Sequence, residues 1–296
     1  MAAVAPISLR ASGRLRRRQL VNRVMEALAT LAAILAIVVL GIVIFTVGRK
    51  GIGSLNVALF TQSETNDFLH PGGGGIAFAF VGTAMLVAIA TIVALPLGVL
   101  TALCMTEFAK PSVASIFRTG LDVLNGIPSI VIGIFVYGLI VLRFGQSALA
   151  GGIALAIIML PLVARATQEV LLLVPQSIRE ASLALGVSRW RTTLSIVLPS
   201  ALGGILTGTT LAIARAAGET APLLFASSLG ARDAIDWNPT HPVTSLTLTI
   251  FEYSDQADPS FQSKAWAAAF ILMVFVLVTS LGAKLLLARS RRKLSS

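Results

Sequence analysis

Two ionisable side chains, Arg215 and Glu219, lie four residues apart within a long apolar run. An ionised side chain at the bilayer centre costs about 2.5 to 3.5 kcal/mol on insertion scales, so it usually has a partner or a function. A guanidinium group binds the oxygens of a tetrahedral oxyanion in a bidentate manner and stays charged at every relevant pH. Glu219 can neutralise Arg215 or accept a hydrogen bond from a protonated anion. The spacing therefore predicts either an anion-binding position on a membrane pathway or a structural ion pair.

A second pair with the same spacing, Arg165 and Glu169, lies near the end of another apolar run. A structural ion pair is favoured here, because a helix end near water tolerates charge and an arginine can extend its head group towards the interface. Arg165 is kept as a further candidate for a substrate pathway.

A polar, basic segment, residues 177–199, separates two long apolar runs. Ser177 and Glu180 have the spacing of a capping box at a helix start. Gly186 fits the left-handed position that ends a helix, and Ser188 can cap the next helix. Pro199 stands where a membrane helix can begin. The segment therefore predicts a helix, a turn and a second helix between two membrane crossings.

Composition assigns the chain to the membrane class. Of its 296 residues, 56% are hydrophobic and only 12% are charged, against roughly a quarter charged in soluble domains. Runs of about 20 apolar residues are long enough to cross a bilayer. We predict an all-α integral membrane protein with about six transmembrane helices and an amphipathic surface helix at residues 112–124. The predicted crossings are residues 27–47, 78–105, 128–142, 151–173, 200–225 and 265–287.

The basic residues are distributed unequally between the predicted loops. Of the 23 Lys and Arg residues, six lie in the N-terminal tail, two in the 107–126 loop, three in the 177–199 loop and five at the C-terminus, whereas five lie in the alternate loops. Cytoplasmic loops carry the excess of Lys and Arg, so both termini and the 177–199 segment are predicted to be cytoplasmic. Because the basic clusters border apolar runs, the net charge of +10 does not indicate nucleic-acid binding.

Catalytic and nucleotide-binding patterns are missing from the sequence. No lysine follows a glycine, so the chain lacks the phosphate-binding loop of an ATPase. Cys104 lies among apolar residues, where it fits helix packing, and His70 and His241 are isolated beside prolines. The sequence therefore predicts a protein that is not an enzyme and that holds no metal.

The 177–199 segment resembles a known family signature. Glu180, Ala181 and Ser182, then Gly186, then Ile196-Val197-Leu198-Pro199 are similar to the cytoplasmic loop of ABC-importer permeases, with Ser182 in place of the second alanine. The resemblance implies that this loop docks in a groove of a separate ATPase and transmits its closure to the membrane helices.

Two further stretches resemble the permease subunits of phosphate ABC importers of the PstA type, in the binding-protein-dependent transport system inner-membrane component family. They are Gly-Ile-Pro-Ser-Ile-Val at residues 126–131 and Ala-Arg-Ala-Ala-Gly-Glu-Thr-Ala-Pro-Leu-Leu at residues 214–224. The resemblance implies a multi-pass subunit of the bacterial inner membrane that forms half of a phosphate pathway. It also implies three partners, namely a second homologous permease, a dimeric ATPase that holds ATP and Mg, and an extracytoplasmic phosphate-binding protein. The chain itself is expected to bind no cofactor.

The predicted organisation has four parts. Residues 1–26 form a basic cytoplasmic tail, residues 27–77 the first transmembrane helix and an outer loop, residues 78–287 the permease domain with its coupling loop at 174–199, and residues 288–296 a second basic tail. Two alternatives remain open. One is an ABC-importer permease for another oxyanion, such as molybdate or phosphonate. The other is a secondary transporter, which would not need the docking signature.

Overall fold

The computed structural model describes residues 13–65, 73–228, 230–232 and 234–294, and the chain divides into two units, Met1–Arg49 and Lys50–Ser296. Residues 1–12 of the predicted N-terminal tail, His70, and the last two residues lie outside the described part. Helix α1, Gly13–Ile52, makes up the first unit and contributes its last residues to the second. It contains the predicted crossing at residues 27–47 and extends beyond it at both ends. Its 40 residues make a helix about 60 Å long.

The described residues of the second unit form helices, connecting loops and a two-stranded antiparallel pair, β1 Glu64–Thr65 and β2 Gly73–Gly74. Its first half contains α2 Val57–Thr61, α3 Ala77–Leu103 with a π-helical turn Cys104–Phe108, α4 Pro111–Gly126, α5 Ser129–Val136 with a π-helical turn Tyr137–Val141, α6 Leu142–Phe144 and α7 Ala148–Leu172. Its second half contains α8 Gln176–Ala184, α9 Arg189–Thr192 with a π-helical turn Thr193–Val197, α10 Leu198–Ala217, α11 Ala221–Ala226, α12 Leu246–Ser254 and α13 Pro259–Leu294.

Five helices of the described chain are long and apolar enough to cross a membrane. They are Leu15–Ile52, Ala77–Phe108, Ala148–Leu172, Arg189–Ala217 and Pro259–Leu285. A sixth crossing is counted when Pro111–Gly126 and Ser129–Phe144, which meet at a bend of 95°, are taken together. The bend lies at Pro128, whose ring disfavours a helical conformation in the residue before it. The expected helical architecture is therefore confirmed, with five or six crossings.

Helix α7 forms the centre of the second unit. It packs against α3, α4, α5, α10 and α11, and the core around it contains Leu86, Leu155, Met159 and several fully buried alanines. Small residues let membrane helices approach closely. At Gly98 of α3, an added Cβ would lie 2.8 Å from a methyl carbon of Val163 on α7. Close backbone packing at this crossing therefore requires glycine.

Two predicted segments differ from the structure. The crossing predicted at residues 200–225 is broken, because α10 ends at Ala217 and α11 begins only at Ala221. Gly218 and Pro222 flank the break, and these are the residue types that end and begin helices. The segment between the predicted crossings at 200–225 and 265–287 contains a helix that was not predicted, α12, whose first turn is capped by the Ser245 side chain.

Candidate functional site

The break between α10 and α11 carries the charged pair. Arg215 lies in the last turn of α10, and Glu219 lies in the break rather than on a continuous helix face. Arg215 Nε is 3.8 Å from Glu219 Oε1, which is an ion-pair distance but too long for a hydrogen bond. The Arg215 side chain is 61% exposed and that of Glu219 is 16% exposed. The predicted pair is thus formed, and its Arg215 side chain is largely exposed.

Helix α12 holds the backbone of the break in place. The Thr247 hydroxyl donates to the Glu219 carbonyl at 2.9 Å and contacts the Ser245 hydroxyl at 2.8 Å. The Leu246 backbone N–H donates to the Thr83 hydroxyl of α3 at 2.8 Å. Glu219 therefore has a fixed backbone, and sequence analysis missed this support because α12 was not predicted.

The fold brings together the two stretches that were singled out around residues 126–131 and 214–224. Helix α5, which begins in the first stretch, packs against α11, which begins in the second. The contact is close, since an added Cβ on Gly133 would lie 2.7 Å from Pro222 Cα. The charged break is thus braced by α5 on one side and α12 on another.

Arg165 has a different partner from the one predicted. Its guanidinium group forms an ion pair with Asp122 of α4 and donates to the Arg118 carbonyl at 3.3 Å. The expected ion pair with Glu169 is not formed, and the Glu169 side chain is exposed. Spacing of four residues did not predict the partner because α4 packs across this face of α7.

The segment containing Glu180 folds as a helical hairpin, α8–α9. Gly186 has φ +78°, the left-handed conformation predicted for it, and the Val187 N–H donates to the Ser182 carbonyl at 3.2 Å. The predicted capping box is wrong, because α8 begins after Pro175 and no side chain caps it. Ser188 is the first residue before α9, as predicted, but its side chain makes no capping hydrogen bond.

The signature residues differ in exposure. Glu180, Ala181, Gly186 and Pro199 are exposed, whereas Ile196 and Leu198 are partly buried. Ser182 is only 4% exposed, and its hydroxyl contacts that of Thr192 at 2.8 Å. The departure from alanine at this position thus supplies a buried hydrogen bond between α8 and α9. Four large apolar side chains of the hairpin are exposed, namely Ile178, Leu183, Leu185 and Trp190.

A buried ion pair that sequence analysis missed fixes the hairpin to the rest of the chain. Arg179 Nη2 donates to Glu107 Oε1 at 2.8 Å, and Arg179 Nε lies 3.2 and 3.3 Å from the two oxygens of the same carboxylate. The guanidinium group also donates to the carbonyls of Val174 at 2.6 Å and Leu171 at 2.9 Å. Beside this pair lies a cavity of about 560 Å³. No sequence signal links residues 72 positions apart.

The opposite end of α3 lies beside a second charged group. Arg232 forms ion pairs with Glu64 and Glu252, and the Tyr253 hydroxyl donates to Glu64 at 2.9 Å. Burial alone would lower the pKa of Arg232, but the hydrogen bond and charge of Glu252 outweigh it and raise that pKa. Burial and the neighbouring Glu64 charge raise the pKa of Tyr253. These contacts join the β1–β2 segment to α12.

His241 is not isolated, contrary to expectation. Its Nδ1 lies 2.6 Å from Asp236 Oδ2, and its carbonyl accepts a hydrogen bond from the Ala148 N–H at 3.0 Å. The Asn238 backbone N–H and then the His241 ring hold the pKa of Asp236 below its ordinary value. The loop therefore caps the start of α7. Within the described residues, no group of three or more His, Cys, Asp or Glu is placed to hold a metal ion.

Comparison with known proteins places this geometry in a family. Residues 94–292 match the model of the binding-protein-dependent transport system inner membrane component family. The chain is 38% identical to the phosphate transport system permease protein PstA of Yersinia pestis, over 84% of each chain. It is 37% identical to PstA of Haemophilus influenzae, over 89% of this chain and 93% of the relative.

Solved structures show the same fold at lower sequence identity. The inward-facing MetNI methionine ABC transporter matches 72% of this chain and 94% of its own with a TM-score of 0.55 and 18% identity. An amino acid ABC transporter solved with histidines matches 71% of this chain and 90% of its own with a TM-score of 0.52 and 22% identity. These structures support the helical permease fold and nothing finer.

Proposed function

Since the chain belongs to the binding-protein-dependent transport system inner membrane component family, among the PstA-type permeases, we propose that it forms half of the membrane pathway of an ATP-driven phosphate importer. It is a transport component and not an enzyme. The observation that carries the choice of substrate is the exposed Arg215 side chain, paired with Glu219 in a helix break, in a chain whose relatives are phosphate permeases.

Arg215 and Glu219 are proposed to contact the anion. A largely exposed guanidinium group can bind two phosphate oxygens and compensate the charge of a desolvated anion. Glu219 neutralises Arg215 when the pathway is empty and accepts a hydrogen bond from the proton of hydrogen phosphate. Arg165 is the weaker candidate, because its guanidinium group is already held by Asp122.

The α8–α9 hairpin is proposed to dock on the ATPase. The residues assigned to this coupling are Glu180, Ala181, Ser182, Gly186, Ile196, Leu198 and Pro199. The exposed apolar side chains of the hairpin support a protein partner, because contiguous exposed apolar surface marks interaction sites. The bound ATP and Mg belong to the ATPase, since the sequence lacks a phosphate-binding loop.

The proposed complex contains this chain in the bacterial inner membrane, a second homologous permease, a dimeric ATPase and an extracytoplasmic phosphate-binding protein. Both termini, including the tails at residues 1–26 and 288–296, are cytoplasmic, as the distribution of Lys and Arg supports. Residues 27–77 then form the first crossing with its outer loop, and residues 78–287 the permease domain with its coupling loop at 174–199. ATP binding closes the hairpins together and opens the pathway outward, and hydrolysis lets phosphate leave inward.

The test is ATP-dependent uptake into proteoliposomes that contain the complete complex, with phosphate and sulfate compared. Arg215→Ala should reduce phosphate uptake at least about tenfold, because a lost charge-assisted hydrogen bond is worth roughly 1.5 to 3 kcal/mol. Arg49→Ala is the matched control, since Arg49 is exposed and lies before the family-matched region. Uptake of molybdate or phosphonate instead of phosphate would show that the proposed substrate is wrong. Undiminished phosphate uptake by Arg215→Ala would remove Arg215 from the pathway.

A further inference from the structure

The ion pair between Glu107 and Arg179 connects elements that are distant in sequence. Arg179 belongs to α8, and Glu107 belongs to the π-helical turn that ends the α3 crossing. Of the two other acceptors, Leu171 lies in the last turn of α7 and Val174 lies just after it. A guanidinium group has five N–H donors in a fixed planar arrangement. These contacts direct all three of its nitrogens into the protein, so the orientation of α8 is defined by α3 and α7 together.

The ion pair is a direct polar contact between the hairpin and the end of α3. The hairpin is continuous with α10 through α9, and only residues 173–175 separate it from α7, whereas α3 has no covalent connection nearby. Next to the pair, the end of α3 packs in an apolar cluster that contains Ala102, Leu103, Leu171, Val174 and Val197. The cavity beside the pair is lined by Leu183, Arg189 and Thr193. Because side-chain packing is interrupted there, the ion pair supplies the directional contact between α8 and α3.

Arg179 also lies next to a residue that we propose to dock on the ATPase. Its neighbour in sequence, Glu180, is exposed, whereas the Arg179 side chain is only 14% exposed and that of Glu107 only 6%. Glu180 of α8 is therefore available to a partner, whereas its neighbour Arg179 is buried. Separating two charges that are buried together is strongly unfavourable, so the pair resists being pulled apart.

We propose that the Glu107–Arg179 ion pair is the positioning contact that transmits movement of the α8–α9 hairpin to α3 during transport. This inference rests on the proposed coupling of the hairpin to an ATPase. Glu107 and Arg179 are positioning residues, since they act through the hairpin and do not contact the anion. The pair makes α3 and α7 move with the hairpin when the ATPase closes.

The test uses the complete complex in lipid nanodiscs with Glu107→Gln, Arg179→Lys and the double variant. Basal ATP hydrolysis and hydrolysis stimulated by the loaded binding protein are measured for each, together with uptake in proteoliposomes. The ratio of stimulated to basal hydrolysis should fall at least about fivefold, in the range of ordinary coupling energies. Basal hydrolysis should remain. The double variant should be no worse than the more affected single variant, because residues of one interaction are not additive.

Lys110→Gln is the matched control, because Lys110 is an exposed charge three residues from Glu107. A retained ratio in both single variants would overturn the proposal. Loss of ATPase binding in both would also overturn it, because the pair would then serve assembly. The proposal that phosphate is the substrate is tested separately from the role of the ion pair. It would be wrong if the wild-type complex responded to a binding protein loaded with another anion. In that case the change in the ratio still decides the role of the ion pair.

Discussion

The two residues of the charged pair, Arg215 and Glu219, are restrained to different degrees. Glu219 has its carbonyl fixed by Thr247 and its side chain mostly covered, whereas the Arg215 side chain is mostly uncovered. An arginine has several rotatable bonds, and a 3.8 Å ion pair restrains them weakly. Arg215 can therefore turn towards an anion more freely than Glu219, whose backbone is held and whose side chain is mostly covered.

Glu219→Gln tests whether the Glu219 carboxylate distinguishes hydrogen phosphate from sulfate. Sulfate has no proton to donate, and an amide can offer N–H donors where the carboxylate only accepts. The preference for phosphate over sulfate in uptake assays should fall about tenfold, the effect expected for losing one charged hydrogen bond. Glu26→Gln on α1 is the matched control. A preference equal to that of the wild type would show that Glu219 only neutralises Arg215.

Sequence spacing predicted some of these pairs and missed others for a physical reason. The Arg215–Glu219 pair is local, so the spacing of four residues was sufficient. Arg165 instead contacts Asp122, and Arg179 contacts Glu107, because helix packing brings distant residues closer than local neighbours. Such partners depend on the crossing of α7 with α4 and of α8 with α3, which a single sequence does not specify.

The turn between helices α8 and α9 depends on the backbone conformation of one residue. Gly186 has φ +78°, and nothing lies within 4 Å of an added Cβ. A side chain at this position would therefore be strained by its backbone and not by its surroundings. Since Leu185 and Val187 flank this residue, the turn sets the direction in which the exposed apolar side chains of the hairpin point.

Gly186→Ala should destabilise the hairpin by about 1 to 2 kcal/mol, the usual cost of a left-handed conformation for an L-residue. Hydrogen–deuterium exchange of residues 180–192 in the purified complex measures this as roughly tenfold faster exchange. Gly120→Ala is the matched control, because Gly120 lies within α4 with an unstrained backbone and open space around it. Equal exchange in the two variants would contradict the proposed strain.

Element boundaries were predicted well where the apolar runs were long and poorly where tertiary contacts decide. The α3 and α7 crossings lie close to the predicted ranges. The break after α10 was missed, although Gly218 and Pro222 have the spacing of a helix end followed by a helix start. The capping box predicted at Ser177 is wrong, because α8 begins one residue earlier, directly after Pro175.

The orientation of the whole molecule in the membrane can be measured by cysteine labelling, because the sequence contains one cysteine, Cys104, which is easily replaced. In a Cys104→Ser background, a membrane-impermeant maleimide should label Gln256→Cys in intact spheroplasts. It should label Ser177→Cys only after permeabilisation, because the hairpin is proposed to be cytoplasmic. Both positions are exposed in the chain. The background without cysteine is the control, and the reverse labelling pattern would contradict the proposed orientation.

Composition was sufficient for the class of the whole molecule, and the long apolar runs predicted its helices. The central position of α7 was not predictable, because it depends on how small residues such as Gly98 let helices approach. The short helix α12 was also missed. Its first five residues, 246–250, alternate between leucine or isoleucine and threonine, and so short an alternation does not separate helix from strand.

The three π-helical turns at Cys104–Phe108, Tyr137–Val141 and Thr193–Val197 have a consequence for evolution. A π-helical turn spans one residue more than an α-helical turn, so each marks a place where a helix tolerates a single extra residue. Relatives should therefore differ there by one-residue insertions or deletions inside helices. Shortening the first such turn would rotate Glu107 away from Arg179, so the register of this helix and the ion pair should be inherited together.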